Sequence, residues 1–158
     1  MHSQVHLRQT QQADLEHLFH FQLDEEAAYL AAFMPADHTN KEAYCEKYTR
    51  FLRDPTINMQ TIIVGDTIAG SIAKFILEGD AEITCWLDRR FWGKGIATTA
   101  VKNFLATEGT RPLLGRVAFD NVGSQRVLEN CGFVKIGTDK GFANARQTEI
   151  EEFIYQLN

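Results

Sequence analysis

The stretch Arg90-Phe91-Trp92-Gly93-Lys94-Gly95-Ile96-Ala97-Thr98 decides how this chain is read. It follows an apolar run from Ala81 to Leu87 and leads into a helical stripe of Ile96, Ala97, Ala100, Val101, Phe104 and Leu105, so it reads as a strand-to-helix junction carrying two glycines. Such a junction aims several backbone N–H groups at one point, and that point suits a phosphate. On the loop alone a purely structural turn also explains the glycines, because strand-to-helix junctions use them whatever they bind.

Spacing excludes two better-known phosphate loops. A Walker A loop built on Gly93-Lys94 needs glycine where Asp88 stands and Ser or Thr where Gly95 stands. A dinucleotide fingerprint needs a third glycine at Thr98, and it would follow the first strand of a βαβ unit rather than a hairpin-rich segment.

Upstream of the loop, Val5-His6-Leu7-Arg8 reads as a short strand. A first helix follows a cap at Gln11 to Asp14 and carries Leu15, Leu18, Phe19 and Gln22-Leu23. A second helical stretch through Ala27, Ala28, Leu30 and Ala31 ends before Pro35, since the residue before proline avoids the αR region. Tyr44, Tyr48, Phe51 and Leu52 mark another helix, closed by Asp54-Pro55. Thr61 to Val64 and Ile68 to Leu77, joined at Gly65-Asp66, read as a hairpin, and a third strand runs from Ala81 to Leu87. Downstream, Leu113 to Phe119 reads as a buried strand. Asn121 caps a short helix with Val122, Val127, Leu128 and Cys131, which Gly132 stops. Phe133-Val134-Lys135-Ile136 starts a strand, residues 141 to 145 a loop, and Gln147 to Leu157 the last strand. In that strand Thr148 to Tyr155 alternates acids with apolar residues, in the manner of a sheet edge or a dimer seam. The order β-α-α-β-β-β-α-β-α-β-β predicts an α/β (α+β) fold, a mixed sheet covered by helices, in one domain spanning 1–158.

Composition narrows the classes. The 158 residues, 44% hydrophobic and 23% charged, suit one ordinary globular domain. Neither a signal-peptide pattern in Met1-His2-Ser3-Gln4-Val5-His6 nor a membrane-length apolar run is present in the sequence, so the expectation is a cytoplasmic protein with no membrane partner. A net charge of −5 argues against nucleic acid, which needs a basic face. Cys45, Cys85 and Cys131 are odd in number and lack ligand spacing, so neither a disulfide framework nor a metal is expected. The histidines, His2, His6, His17, His20 and His38, read as surface residues, with His38 alone a faint site candidate.

A second constellation lies downstream. Asn121-Val122-Gly123-Ser124-Gln125-Arg126-Val127-Leu128-Glu129-Asn130-Cys131-Gly132-Phe133 sets an amide and a hydroxyl three positions apart at one helix start. Together with Arg90-x-x-Gly93-x-Gly95, in this order and at this separation, it resembles the GCN5-related N-acetyltransferase (GNAT) superfamily. The closer likeness is to the ribosomal-protein alanine N-acetyltransferase branch. The resemblance is specific over residues 81 to 136 and looser over residues 1 to 56. It implies the GNAT fold, with a mixed, mostly antiparallel central sheet flanked by helices, and acetyl-CoA as cosubstrate. It further implies that Arg90, Trp92, Gly93, Lys94, Gly95, Ile96, Ala97 and Thr98 surround the pyrophosphate. Trp86 and Leu87 would meet pantetheine through their backbone, and Asn121 and Ser124 would touch its arm and the sulfur. For Asn121 an ordinary N-cap is the compatible, plainer reading.

Acetyl transfer to an amine needs a neutral nucleophile, a stabilised oxyanion and a proton for the departing thiolate. Glu82 shares a strand face with Thr84 and Trp86, and many superfamily members use a glutamate on this strand as the base, so the resemblance makes Glu82 the expected base. The alternative is a solvated residue beside Gly79-Asp80. Ser124 is the candidate to hold the thiolate. Many superfamily members carry a tyrosine on the helix after the asparagine, and Val122 to Cys131 has none. That absence keeps a second reading open, a non-catalytic acyl-CoA-binding module; a structural interaction domain with a coincidental turn is a third. Residues 11 to 42 hold seven acids, Asp14, Glu16, Asp24, Glu25, Glu26, Asp37 and Glu42, against the single base Lys41. This suggests a cationic acceptor, a protein N-terminus or a small amine, drawn to an acidic rim, although a solvated helix face explains the same charges.

Overall fold

The computed structural model describes residues 4–158. Runs rich in β-branched and other apolar residues over the middle of the chain build three antiparallel strands, β2 (Asn58–Val64), β3 (Thr67–Leu77) and β4 (Asp80–Leu87). Ahead of them, β1 (Val5–Gln9) pairs antiparallel with β2. Behind them come β5 (Leu113–Ala118), β6 (Val134–Ala143) and β7 (Thr148–Leu157). The seven strands form one sheet in the order β1-β2-β3-β4-β5-β7-β6, antiparallel at every seam except β4 with β5. This is the mixed, mostly antiparallel α/β fold that the sequence predicts.

Helices cover both faces. On one side α4 (Ile96–Thr107) and α5 (Val122–Asn130) pack on the main core, where Ile96, Ala100, Val101 and Phe104 meet Ile83, Leu87, Leu113 and Val117. The buried α4 residues are those of the apolar stripe legible in the sequence. On the other side lie α1 (Leu15–Phe21), α2 (Glu25–Ala31) and α3 (Lys41–Arg53). There Leu15, Leu18, Met59 and Ala73 form a second, smaller core.

The three N-terminal helices are those the residues mark in the sequence, although the predicted order counts only two; the Asp24 carboxylate accepts from the backbone N–H groups of Glu26 (3.0 Å) and Ala27 (3.1 Å) and so starts α2 as a helix of its own. Two details depart from the sequence reading. Strand β6 continues to Ala143 instead of giving way to a loop at residue 141. Gly141 pairs with Ile150 and lies under the Phe33 ring, where a Cβ would sit 3.4 Å from the ring, so this glycine marks a close approach rather than a turn. Finally, β7 is not a sheet edge. It pairs with β5 on one side and β6 on the other, and its acid Glu152 pairs with Arg116 (3.2 Å).

Candidate active site

Parallel strands β4 and β5 pair at only two positions, Glu82 with Leu114 and Ile83 with Gly115. Beyond them, Thr84 to Leu87 and Arg116 to Ala118 diverge, and a wedge opens toward the C-terminal ends of both strands. On the β3 side β4 stays fully paired to Leu87, and Asp88 N–H donates to Ala69 O (2.7 Å). Backbone groups alternate sides along a strand, so those of Cys85 and Leu87 turn toward the wedge, where β5 no longer reaches them. The Trp86 backbone turns to β3 instead, its carbonyl lying against Gly70, so of the two residues expected to offer backbone to pantetheine only Leu87 faces the wedge. Gly70 lets β3 approach β4 closely here: a Cβ there would lie 2.0 Å from the Trp86 carbonyl oxygen.

Both strands end in helix starts, so the mouth of the wedge is flanked by the N-termini of α4 and α5. The glycine loop forms the first flank. Its position is pinned by the Trp92 indole, whose Nε1–H donates to Leu87 O (2.8 Å), and by Arg90, whose Nε donates to Asp88 (2.6 Å). Gly93 and Gly95 adopt φ of 74° and 76°, a region that favours glycine, and the space a Cβ would occupy at either is empty within 4 Å. Gly95 caps α4 without any side-chain oxygen. The first intrahelical bond runs from Thr99 N–H to Gly95 O (3.1 Å), so the amides of Ile96, Ala97 and Thr98 have no partner within the helix. Lys94 is exposed beside them. An uncapped helix start with open space above it is a cradle for an anion.

On the second flank the Asn121 side chain ties two helices together. Its Oδ1 accepts from Ser124 N–H (3.3 Å) and its Nδ2 donates to Leu30 O (3.3 Å). Asn121 therefore caps α5 and braces it against the end of α2, and one amide N–H is left over for a ligand. The Ser124 hydroxyl is exposed at the α5 start.

Helix α2 reaches from one lip of the wedge to the other. At its start Arg89, just past β4, bonds Asp24 (2.7 Å) and Glu26 (3.3 Å). At its end the chain's carbonyls find tertiary donors in turn: Tyr29 O accepts from Arg146 Nε (2.7 Å), Leu30 O from Asn121, Ala32 O from Ala145 N–H (3.1 Å) and Met34 O from Asn144 Nδ2 (2.7 Å). The Arg146 side chain, 5% exposed, also grips Asp120 with both terminal nitrogens (2.9 and 2.8 Å) under the Tyr29 ring. Replacing Arg146 with alanine strands Asp120 and the Tyr29 carbonyl together. The expected loss is about 2 kcal/mol of stability, read from urea midpoints, with faster amide exchange over Glu25–Ala31.

The floor of the wedge is charged. Glu82, 4% exposed, is buried rather than solvated, and its carboxylate accepts from Arg116 Nε (3.2 Å). Burial raises the Glu82 carboxyl above its ordinary range; Arg116 opposes that rise without cancelling it, while Glu152 and Asp80 add to it. On the same strand Trp86 Nε1 is buried with no partner among the described residues. Burial also pushes the Cys85 thiol up to about 12 and raises that of Cys131, so neither supplies a thiolate at neutral pH.

Other candidates lie elsewhere. Tyr44 and Tyr48 stack in an aromatic row with Phe19 and Phe51. Tyr155 is buried and donates to Glu129 (2.9 Å), and Tyr29 covers Arg146. His6, His17 and His20 are exposed, His38 is half-buried, and His2 lies outside the described residues. No group of three His, Cys, Asp or Glu with metal-binding geometry occurs among the described residues, and none of their helices is long and apolar enough to cross a membrane. Four of the seven acids in residues 11 to 42 are paired with three cations: Asp14 with Arg8 (2.7 Å), Glu16 with Lys41, and Asp24 and Glu26 together with Arg89. The acidic rim is thus thinner than the sequence suggests. Sequence reasoning missed Arg116 and Arg146. The signal for the first was a lone cation inside the apolar run Leu113 to Phe119.

Comparison with known proteins places this geometry. The family model described as the acetyltransferase (GNAT) domain matches residues 4–134. No curated protein matches the chain. Among solved structures, the microcin C7 self-immunity acetyltransferase MccE in complex with acetyl-CoA and AMP is 20% identical with a TM-score of 0.80, covering 97% of this chain and 91% of its own. RimL, a ribosomal alpha-N-protein acetyltransferase in complex with coenzyme A, is 20% identical with a TM-score of 0.78, covering 97% and 94%. A spermidine N-acetyltransferase from Vibrio cholerae is 19% identical with a TM-score of 0.75, covering 97% and 94%. At these identities the likenesses establish the fold.

Proposed function

The chain belongs to the GNAT acetyltransferase family, and from that premise we propose that it transfers an acetyl group from acetyl-CoA to a primary amine, a protein N-terminus or a small cationic amine, by direct attack in a ternary complex. The observation that carries this reading is the β4–β5 wedge with two helix starts at its mouth. Acetyl-CoA fits it as substrate. The pyrophosphate meets the open amides of Gly95 to Thr98 and the loop of Arg90, Trp92, Gly93 and Lys94, and the pantetheine amides take the place of the missing β5 partners at the wedge-facing backbone of Cys85 and Leu87.

Chemistry follows from the floor. Glu82 receives the amine proton, directly or through water, and its raised pKa suits a base working near neutrality. The thiols of Cys85 and Cys131 are poor nucleophiles, which favours direct transfer over an acyl-enzyme at either. Ser124 orients the departing sulfur, and Asn121 holds Ser124 in place. MccE, RimL and the spermidine enzyme leave the acceptor class open between small molecules and protein N-termini.

Calorimetric titration of the protein with acetyl-CoA and with CoA is the first test, and micromolar binding is the expected result. A panel of an Ala-initiated peptide, spermidine and an aminoglycoside, followed by release of the CoA thiol, then assigns the acceptor. Absence of binding to the folded protein overturns the reading. Binding without turnover on any amine favours the non-catalytic module.

A further inference from the structure

Arg116 stands where β4 and β5 part. It is one pleat beyond the last paired positions and on the face of the sheet that carries Glu82. Its Nε donates to Glu82 (3.2 Å), and its Nη1 lies 3.2 Å from Glu152 on β7 and 3.7 Å from Asp139 on β6. One guanidinium therefore serves three carboxylates drawn from three strands. Of the three, Glu82 is the most deeply placed, its side chain 6% exposed against 16% for Glu152 and 60% for Asp139. The opposite position on β3 is Phe75, which offers no charge. Along its own strand Asp80 adds a further negative charge.

A carboxylate this buried, facing an apolar neighbour and two like charges, takes up a proton unless a cation compensates it. We propose that Arg116 is a positioning residue of the transfer reaction: by gripping Glu82, Glu152 and Asp139 at once it fixes the Glu82 carboxylate at the closed end of the wedge and keeps it charged at neutral pH. The proposal rests on the reading of Glu82 as the base. The fork geometry matters, because a guanidinium reaches separate carboxylates from Nε and Nη1 in a fixed plane, which a single ammonium cannot do.

The test separates the ion pair from the reaction. In protein labelled with 13C at the glutamate carboxyls, Glu82→Gln identifies the Glu82 resonance, and its titration is followed in wild type and in Arg116→Met. The expected midpoint moves upward by about one to three pH units. With the Ala-initiated peptide as acceptor, the Arg116→Met rate falls at least about tenfold at pH 7 and recovers toward wild type in the alkaline range, where Glu82 ionises unaided. Arg116→Lys moves both readouts part of the way, and carries the test alone if Arg116→Met does not fold. An unmoved midpoint overturns the proposal. So does a rate lowered by the same factor at every pH, which is the mark of a purely structural role. If Glu82→Gln keeps the full rate, the base reading fails by itself, and the titration still reports whether Arg116 governs Glu82.

Discussion

Replacing Gly95 with valine is expected to weaken acetyl-CoA binding at least about 100-fold, or about 2.7 kcal/mol, while the protein stays folded. At φ 76° a β-branched residue is strained, and relaxing that strain swings the first turn of α4 out of line. If the loop holds instead, the new methyl groups fill the empty space above the glycine, which is where an anion must sit to reach the amides of Ile96 to Thr98. Either way the cradle is lost, and no other part of the core meets the side chain. Gly79 supplies the control. It too has positive φ, 87°, with open space around it, but it lies in the turn between β3 and β4, at the end of the wedge away from its mouth. Gly79→Val imposes comparable backbone strain and leaves affinity unchanged. Calorimetry on both variants, with melting temperatures alongside, checks this. Full acetyl-CoA affinity in Gly95→Val removes the loop from the site.

What could be read from the sequence was whatever local pattern dictates. The 3.6-residue stripe of α4 and the turn-bounded apolar runs from Thr61 to Leu87 specify their elements before any tertiary contact is made, and the paired glycines mark a junction that only backbone geometry needs. Long-range pairing was not legible. Nothing near Glu152 announces that Arg116, 36 residues away, will pair with it, so its strand reads as an edge or a dimer seam. Nothing near Arg89 announces Asp24, and an acidic surface count therefore overstated the field offered to a cationic acceptor. The base candidate was found from strand and face alone. Its burial, and hence the direction of its pKa, depends on which strands flank it, which is a property of sheet order. Gly141 misled for a related reason, since a glycine that admits a distant ring is locally indistinguishable from one that turns the chain.

Glu82→Gln is expected to lower kcat about 10²- to 10⁴-fold without changing acetyl-CoA affinity, since the side chain lies at the floor and not at the phosphate cradle. Burial, only partly opposed by Arg116, lifts the Glu82 carboxyl above 4.5, so the wild-type rate rises as pH climbs through a midpoint above the ordinary carboxylate range, and the glutamine variant loses that rise. Stability moves the other way. A carboxyl with a raised folded-state pKa stabilises the fold below its unfolded pKa and loses that contribution as pH increases through the folded value. At pH 7 the ionised side chain is therefore a net cost. Glutamine removes it, and the variant melts no lower than wild type there, while wild type gains on it as pH falls. A pH–rate profile with paired melting curves reads both effects, and an undiminished rate across pH takes Glu82 out of the mechanism. The size of the loss also reports on the acceptor. An α-amine with pKa ~7.8 is roughly one-seventh neutral at pH 7, whereas a lysine-type amine at ~10.4 is neutral in about one molecule in 2,500. An enzyme working on α-amines asks little of its base and falls at the low end of the range. One working on amines of higher pKa needs Glu82 to draw off a proton that solvent rarely removes, and falls at the high end.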